Sequence, residues 1–82
     1  MSWNYRVLKR RHSDDEVTYG IHEVYYDKQG NPSFCSTNPM EPFGSTFKDL
    51  KLDFSLMRKA FKLPVLNYQD FISDKKNKKH KK

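Results

Sequence analysis

A single cysteine, Cys35, stands in this chain. With no second thiol an internal disulfide is impossible, so the disulfide-dense scaffolds of small secreted proteins are excluded. No stretch approaches the run of about 18 apolar residues that a membrane-spanning helix needs. The first residues, "MSWNYRVLKRRH", contain no apolar segment of the kind found in secretory leaders, and a cytoplasmic protein is the expectation. Glycine is scarce, at three residues, and none of them forms a phosphate-cradling loop or a G-x-S-x-G nucleophile elbow. Hydrophobic residues are also below the usual globular share, at 35%. At 82 residues the prior is one domain, which at this size buries only about 60–65% of its unfolded surface.

What is present partly offsets these shortages. Six Phe, five Tyr and one Trp make the chain 15% aromatic. Each such ring can bury roughly 150–250 Å², so few residues can build a core. The net charge of +6 is unevenly placed. Residues 73–82, "SDKKNKKHKK", hold six lysines and one aspartate, while residues 1–72 balance ten Lys/Arg against nine Asp/Glu. The sequence therefore divides into a nearly neutral domain, 1–72, and a Lys-rich tail, 73–82, expected to be disordered because it has nothing apolar to bury.

Local patterns give the elements. "WNYRVLKRR", 3–11, alternates aromatic and β-branched residues with polar ones and reads as a strand. "HSDDE", 12–16, reads as a turn. "VTYGIHEVYY", 17–26, is the strongest strand signal, rich in β-branched residues and tyrosine. "DKQGN" follows as a hairpin loop of about five residues, in which Gly30 can take positive φ. "PSFCST" returns as a short third strand with Pro32 at its start. After "NPMEPFG", Ser45 or Thr46 can cap a helix, and Asp49 stands three residues after Thr46 as in a capping box. Phe47, Leu50, Phe54, Met57 and Phe61 then recur every three or four residues as one apolar stripe, and Pro64 ends the helix. "VLNYQDFI", 65–72, reads as a short final strand or an extended arm. The expectation is an α+β fold in two layers: a three-stranded antiparallel sheet with one C-terminal amphipathic helix across one face and the other face open (β-β-β-α, with or without a closing β).

Candidate chemistry is sparse. His22 and Glu23 are adjacent in a strand, so they point to opposite faces and cannot readily form a dyad. The simple expectation is a histidine on the open face and a glutamate paired with an arginine or a tyrosine hydroxyl. The apolar phase of 17–26 changes face there, which suggests a β-bulge near His22 and Glu23. If Tyr26 pairs with Pro32, His22 lies opposite Ser36 and Cys35 faces the other way, so Cys35 reads as a buried, inert thiol. His12, His22, Cys35 and His80 have no metal-ligand spacing. With no convergent catalytic set, no metal site and no cofactor motif, a non-enzymatic role is expected.

Two surfaces remain. Tyr5, Tyr25, Tyr26 and Phe34 exceed what one helix can cover, and aromatic residues are favoured in interface cores. They are the candidate contacts for another protein or for a second copy in a homodimer, with edge strands a further route to pairing. The alternative is RNA or DNA binding through phosphate contacts of Lys9, Arg10 and Arg11 beside His12, together with tail residues Lys75, Lys76, Lys78, Lys79, Lys81 and Lys82.

The phrases "WNYRV" at 3–7, "IHEVYYD" at 21–27, "NPMEPFG" at 38–44 and "KLPVL" at 62–66 resemble a family of short bacterial and phage proteins to which no activity is attached. More distantly, hairpin strands followed by "GST" at 44–46 and an amphipathic helix are similar in layout to HicB-type antitoxin domains. That likeness implies a sheet-and-helix fold and the binding of a small toxin partner. "NPMEPFG" replaces the family's Pro-Asp-Leu-Pro type of loop, and no helix-turn-helix follows.

Overall fold

The computed structural model describes residues 2–71; the basic tail assigned to 73–82 lies outside them. Strand β1, Ser2–Ser13, pairs antiparallel with β2, Glu16–Tyr26, in a long hairpin. Short β3, Pro32–Cys35, adds to the outside of β2. Helix α1, Phe47–Arg58, continues through a 3₁₀ turn, Lys59–Lys62. Two-residue β4, Leu66–Asn67, then runs parallel to β1, and residues 68–71 are helical. The sheet order is β3-β2-β1-β4. The α+β class is as expected, and the three antiparallel strands are joined by the short closing β, whose parallel pairing makes the sheet four-stranded and mixed.

Local chemistry explains the junctions. At 27–31 the Asp27 carboxylate accepts from the N–H groups of Gln29 and Asn31, both at 2.9 Å, and Gly30 takes φ +84°. Thr46 caps α1, accepting the Asp49 N–H on its Oγ1 at 3.1 Å. Gly44 lies so close beneath the first turn of α1 that a methyl there would overlap the backbone of Asp49 and Leu50. Leu63 turns extended ahead of Pro64, which cannot continue a helix.

Both faces of the sheet are covered. On one, Tyr5 and Val7 pack with Met57 and Ala60 of the helical segment, flanked by Ile21. On the other, Leu8 and Val24 pack beneath Tyr68, with Tyr26, Cys35, Leu66 and Phe71 around them. The expected open face is thus corrected: the C-terminal arm folds back under the sheet, because the alternate residues of β1 and β2 present a second apolar set. Arg6 pins this arm, its Nη2 donating to the Pro64 carbonyl at 2.8 Å and its Nη1 to Tyr26 Oη at 2.9 Å.

The register of β1 with β2 is continuous from Val17 to Tyr26, so no bulge lies at His22 and Glu23. The irregularities fall between Arg11 and Ser13, and between Tyr25 and Tyr26 in the β2–β3 pairing. The second shift aligns Val24 with Cys35 and places Cys35, half-buried, at the margin of the lower core. No helix of the described residues is long and apolar enough to cross a membrane.

The helix is set differently from its apolar stripe. Met57 and Ala60 are buried, and Leu50 and Asp53 half-buried, so the sheet-facing line is 50-53-57-60. Of the stripe read from sequence, Phe47, Phe54 and Phe61 are 73%, 53% and 70% exposed. The expectation that this whole stripe covers the sheet is corrected by about 60°, a sixth of a turn: Leu50 and Met57 face the sheet and the three phenyl rings do not. Asp53 explains the rotation, since its carboxylate accepts from Tyr5 Oη at 2.7 Å and from the Phe43 N–H at 3.0 Å.

Candidate functional site: an aromatic row beside an apolar groove

Alternation along β1 and β2 puts Trp3, Tyr5, Glu23 and Tyr25 on the helix side of the sheet, near the end that the helix leaves bare. Register adds Phe34 of β3 beside Tyr25. The rings form a continuous row: Phe34 to Tyr25 at 6.2 Å, Tyr25 to Trp3 at 6.3 Å, and Trp3 edge-on to Tyr5 at 5.2 Å. Trp3 is 46% and Phe34 50% exposed. The Tyr25 hydroxyl donates to Glu23 Oε1 at 2.8 Å, which answers where Glu23 points. It shares the aromatic face, its carboxylate held by a tyrosine at the margin.

Beyond Trp3 the row opens into a groove of about 650 Å³ between β1 and the end of the helical segment. Trp3, Asn4 and Tyr5 form one wall, and Leu56, Leu63, Lys59 and Lys62 the other. Its volume lies within the roughly 300–1,000 Å³ of pockets that hold ligands or partner side chains. The two lysines face no carboxylate in the groove lining.

The residues proposed from sequence divide. Tyr25 and Phe34 are in the row. Tyr5 is buried at its inner end and serves the core, with its hydroxyl on Asp53. Tyr26 is on the opposite face, where its hydroxyl donates to Asn4 Oδ1 at 2.8 Å. Of the basic set, Lys9 and Arg11 alternate with Arg10 across the strand, so they do not form one patch. Arg10 is engaged within the fold: its guanidinium lies 4.0 Å over the Tyr68 ring and donates to the Thr37 carbonyl at 3.0 Å. Lys75, Lys76, Lys78, Lys79, Lys81 and Lys82 lie outside the described residues.

His22 is not on an exposed surface. It is 1% exposed, its Nδ1 donates to the Ser36 carbonyl at 2.9 Å, and its ring packs 5.8 Å from that of Tyr68. Burial holds its pKa below the ordinary imidazole value, the Ser36 bond opposes that, and nearby Arg10 adds to it. A neutral, enclosed imidazole with a carbonyl partner is a structural element of the lower core. Among the described residues no group of three His, Cys, Asp or Glu side chains is placed to hold a metal.

Sequence reading missed Trp3, Leu56, Leu63, Lys59 and Lys62 as a group. A signal was present in the surplus of apolar residues along 47–63, since Leu56, Ala60 and Leu63 widen the stripe, Leu52 lies off it, and no single face could bury them all. No protein family, curated protein or solved structure matches the chain.

Proposed function

We propose that this protein is a small, non-enzymatic protein-interaction module whose docking surface is the aromatic row Phe34–Tyr25–Trp3 together with the adjoining groove. One observation carries the reading: more large apolar side chains lie exposed than buried. Among the described residues six large apolar side chains, with Ala60, form the buried core, whereas twelve, Trp3, Phe34, Leu56 and Leu63 among them, are exposed. Single exposed apolar residues are ordinary, but a contiguous row with an attached groove marks an interaction site. Its composition fits a protein partner, with Trp and Tyr at the centre and Lys at the rim. An antitoxin-like or inhibitor-like binder is the form of this function that the layout suggests.

Nucleic-acid binding is the second reading, and the engagement of Arg10 with Tyr68 and Thr37 weakens it. Affinity capture from a host lysate, with nuclease treatment in parallel, tests the choice. A defined protein retained by the wild type, insensitive to nuclease and lost with Trp3→Ser/Leu63→Ser, supports the reading. Capture that depends on nucleic acid, or that the double variant leaves unchanged, rejects it.

A further inference from the structure

Phe47, Phe54 and Phe61 stand seven residues apart, with Leu50 and Met57 interposed at the alternate spacings of three and four. Phe47 and Phe54, one seven-residue step apart on α1, drift by only about 20°, and Phe61, in the 3₁₀ turn where each residue advances by about 120°, stays within about 40° of Phe54, so the three rings form one loose file along the helical segment. It runs roughly 20 Å at 1.5 Å per residue. This file is not part of the groove described above. Leu56 lies about 200° round the helix from Phe54, and the sheet-facing line 50-53-57-60 separates the two flanks on the inner side. Three rings, each half or more exposed, leave on the order of 300–500 Å² of apolar surface, comparable to the roughly 300–600 Å² of the largest patch on a typical monomer, which is often functional. A second groove, of about 580 Å³, opens beside the middle ring of the file and is lined by Pro42, Leu50, Lys51, Phe54 and Ser55.

The charges beside the file identify its occupant. Lys51 sits over the Phe47 ring, Nζ 4.9 Å from the centroid. Arg58 holds the equivalent place four residues after Phe54. Among the residues lining the groove no acid answers them. Asp49 is about 140° away from Phe54, Asp53 is bonded to Tyr5 and the Phe43 N–H, and the groove lining contains no carboxylate. A second copy docked through the same file would set Lys51 and Arg58 against their own counterparts, which opposes self-pairing. The chain's own tail, with six lysines and one aspartate, is repelled in the same way.

We infer that the Phe47-Phe54-Phe61 flank is a docking face for an acidic amphipathic helix of another protein. The partner helix lays a heptad-spaced apolar seam along the phenyl file and carries Asp or Glu beside it, opposite Lys51 and Arg58. This goes beyond the groove reading, and the two can fail separately, because Trp3→Ser alters only the groove and Phe54→Ser only the file.

The test uses the full chain and a labelled three-heptad synthetic helix with Leu at the two seam positions and Glu at the flanking ones. Its counterpart has Lys at the flanking positions, and a single-stranded oligonucleotide serves as competitor. Fluorescence anisotropy should show the Glu helix bound roughly tenfold or more tighter than the Lys helix, with the preference reduced at high salt. Phe54→Ser should abolish binding and Trp3→Ser should not. Lys51→Glu/Arg58→Glu, both changes at exposed positions, should reverse the preference between the two helices while circular dichroism stays that of the wild type. Equal binding of the two helices, no binding, a preference unmoved by charge reversal, or displacement by the oligonucleotide would each overturn the inference.

Discussion

Tyr5 donates its hydroxyl to Asp53 at 2.7 Å, joining β1 to α1 across 48 residues of chain. A carboxylate in the inner line of a helix is unusual, and here it has two donors, so the helix turns to present Asp53 and the phenyl file is left outside. Tyr5→Phe removes the link but keeps the ring. It should cost about 1.5–3 kcal/mol in urea unfolding, the usual effect of losing a hydrogen bond to a charged group. Burial first, and then the Asp53 bond and charge, raise the tyrosine pKa in the folded chain above its ordinary value of 10.0. A raised pKa means stability is full below pH 10.0 and falls as pH rises beyond it, because the unfolded chain loses the proton first. The Phe variant should show a shallower alkaline decline than the wild type.

The setting of the helix predicts an inequality that the sequence pattern alone would not. Met57→Ala should destabilise by about 2–4 kcal/mol, as core truncations do. Phe54→Ala, although it deletes a larger side chain, should change stability by less than about 0.5–1 kcal/mol. Thermal or chemical denaturation of the two variants checks this, and similar losses from both would mean that the stripe is buried after all.

His22 predicts an acid limb. Its pKa is lowered by burial, so the unfolded chain takes up a proton that the folded chain refuses. Its contribution to stability is complete above the ordinary imidazole value of 6.5 and declines as pH falls from there toward the lowered value. His22→Asn, whose amide nitrogen can replace Nδ1 as donor to Ser36, should flatten this part of the stability-against-pH curve. A curve for the variant parallel to that of the wild type below pH 6.5 would refute the assignment.

Two glycines should resist replacement for different reasons. Gly30→Ala forces a side chain into the left-handed region at φ +84° and should cost about 1–2 kcal/mol. At Gly44 the backbone of Asp49 and Leu50 blocks the added methyl, and Gly44→Ala should cost about 1–3 kcal/mol and disturb the Thr46 cap. Denaturation midpoints give both costs, and the amide shift of Asp49 reports on the cap.

Features set by neighbours in sequence were legible: β1, β2 and β3, the 27–31 loop, the Thr46 cap and the stop at Pro64. Features set by distant partners were not. Periodicity shows which helix face is apolar, whereas Tyr5, 48 residues away, decides which face is covered. β4 is two residues long and owes its existence to Leu8 and Lys9. The bulge expected at His22 and Glu23 came from assuming that each sheet face is uniformly apolar. Tyr25 removes that need, because its hydroxyl satisfies Glu23 on the aromatic side. For the candidate site, Tyr25 and Phe34 could be picked out as surplus rings, but Trp3 and the helix end met them only through the fold.

Strand β1 is the member that both covering layers lean on, with Tyr5 bound to α1, Leu8 beside Leu66, and Arg6 bonded to a carbonyl 58 residues later. During translation it is made first and covered last. At about 5–20 residues per second, roughly 3–12 s separate the emergence of Arg6 from that of Pro64. From the completion of β2 until the helical segment and then the arm follow, the hairpin of β1 and β2 holds Tyr5, Val7, Leu8 and Val24 without cover. The nascent chain therefore presents two apolar faces to the ribosome's surroundings, and its safe arrival depends on what shields them there.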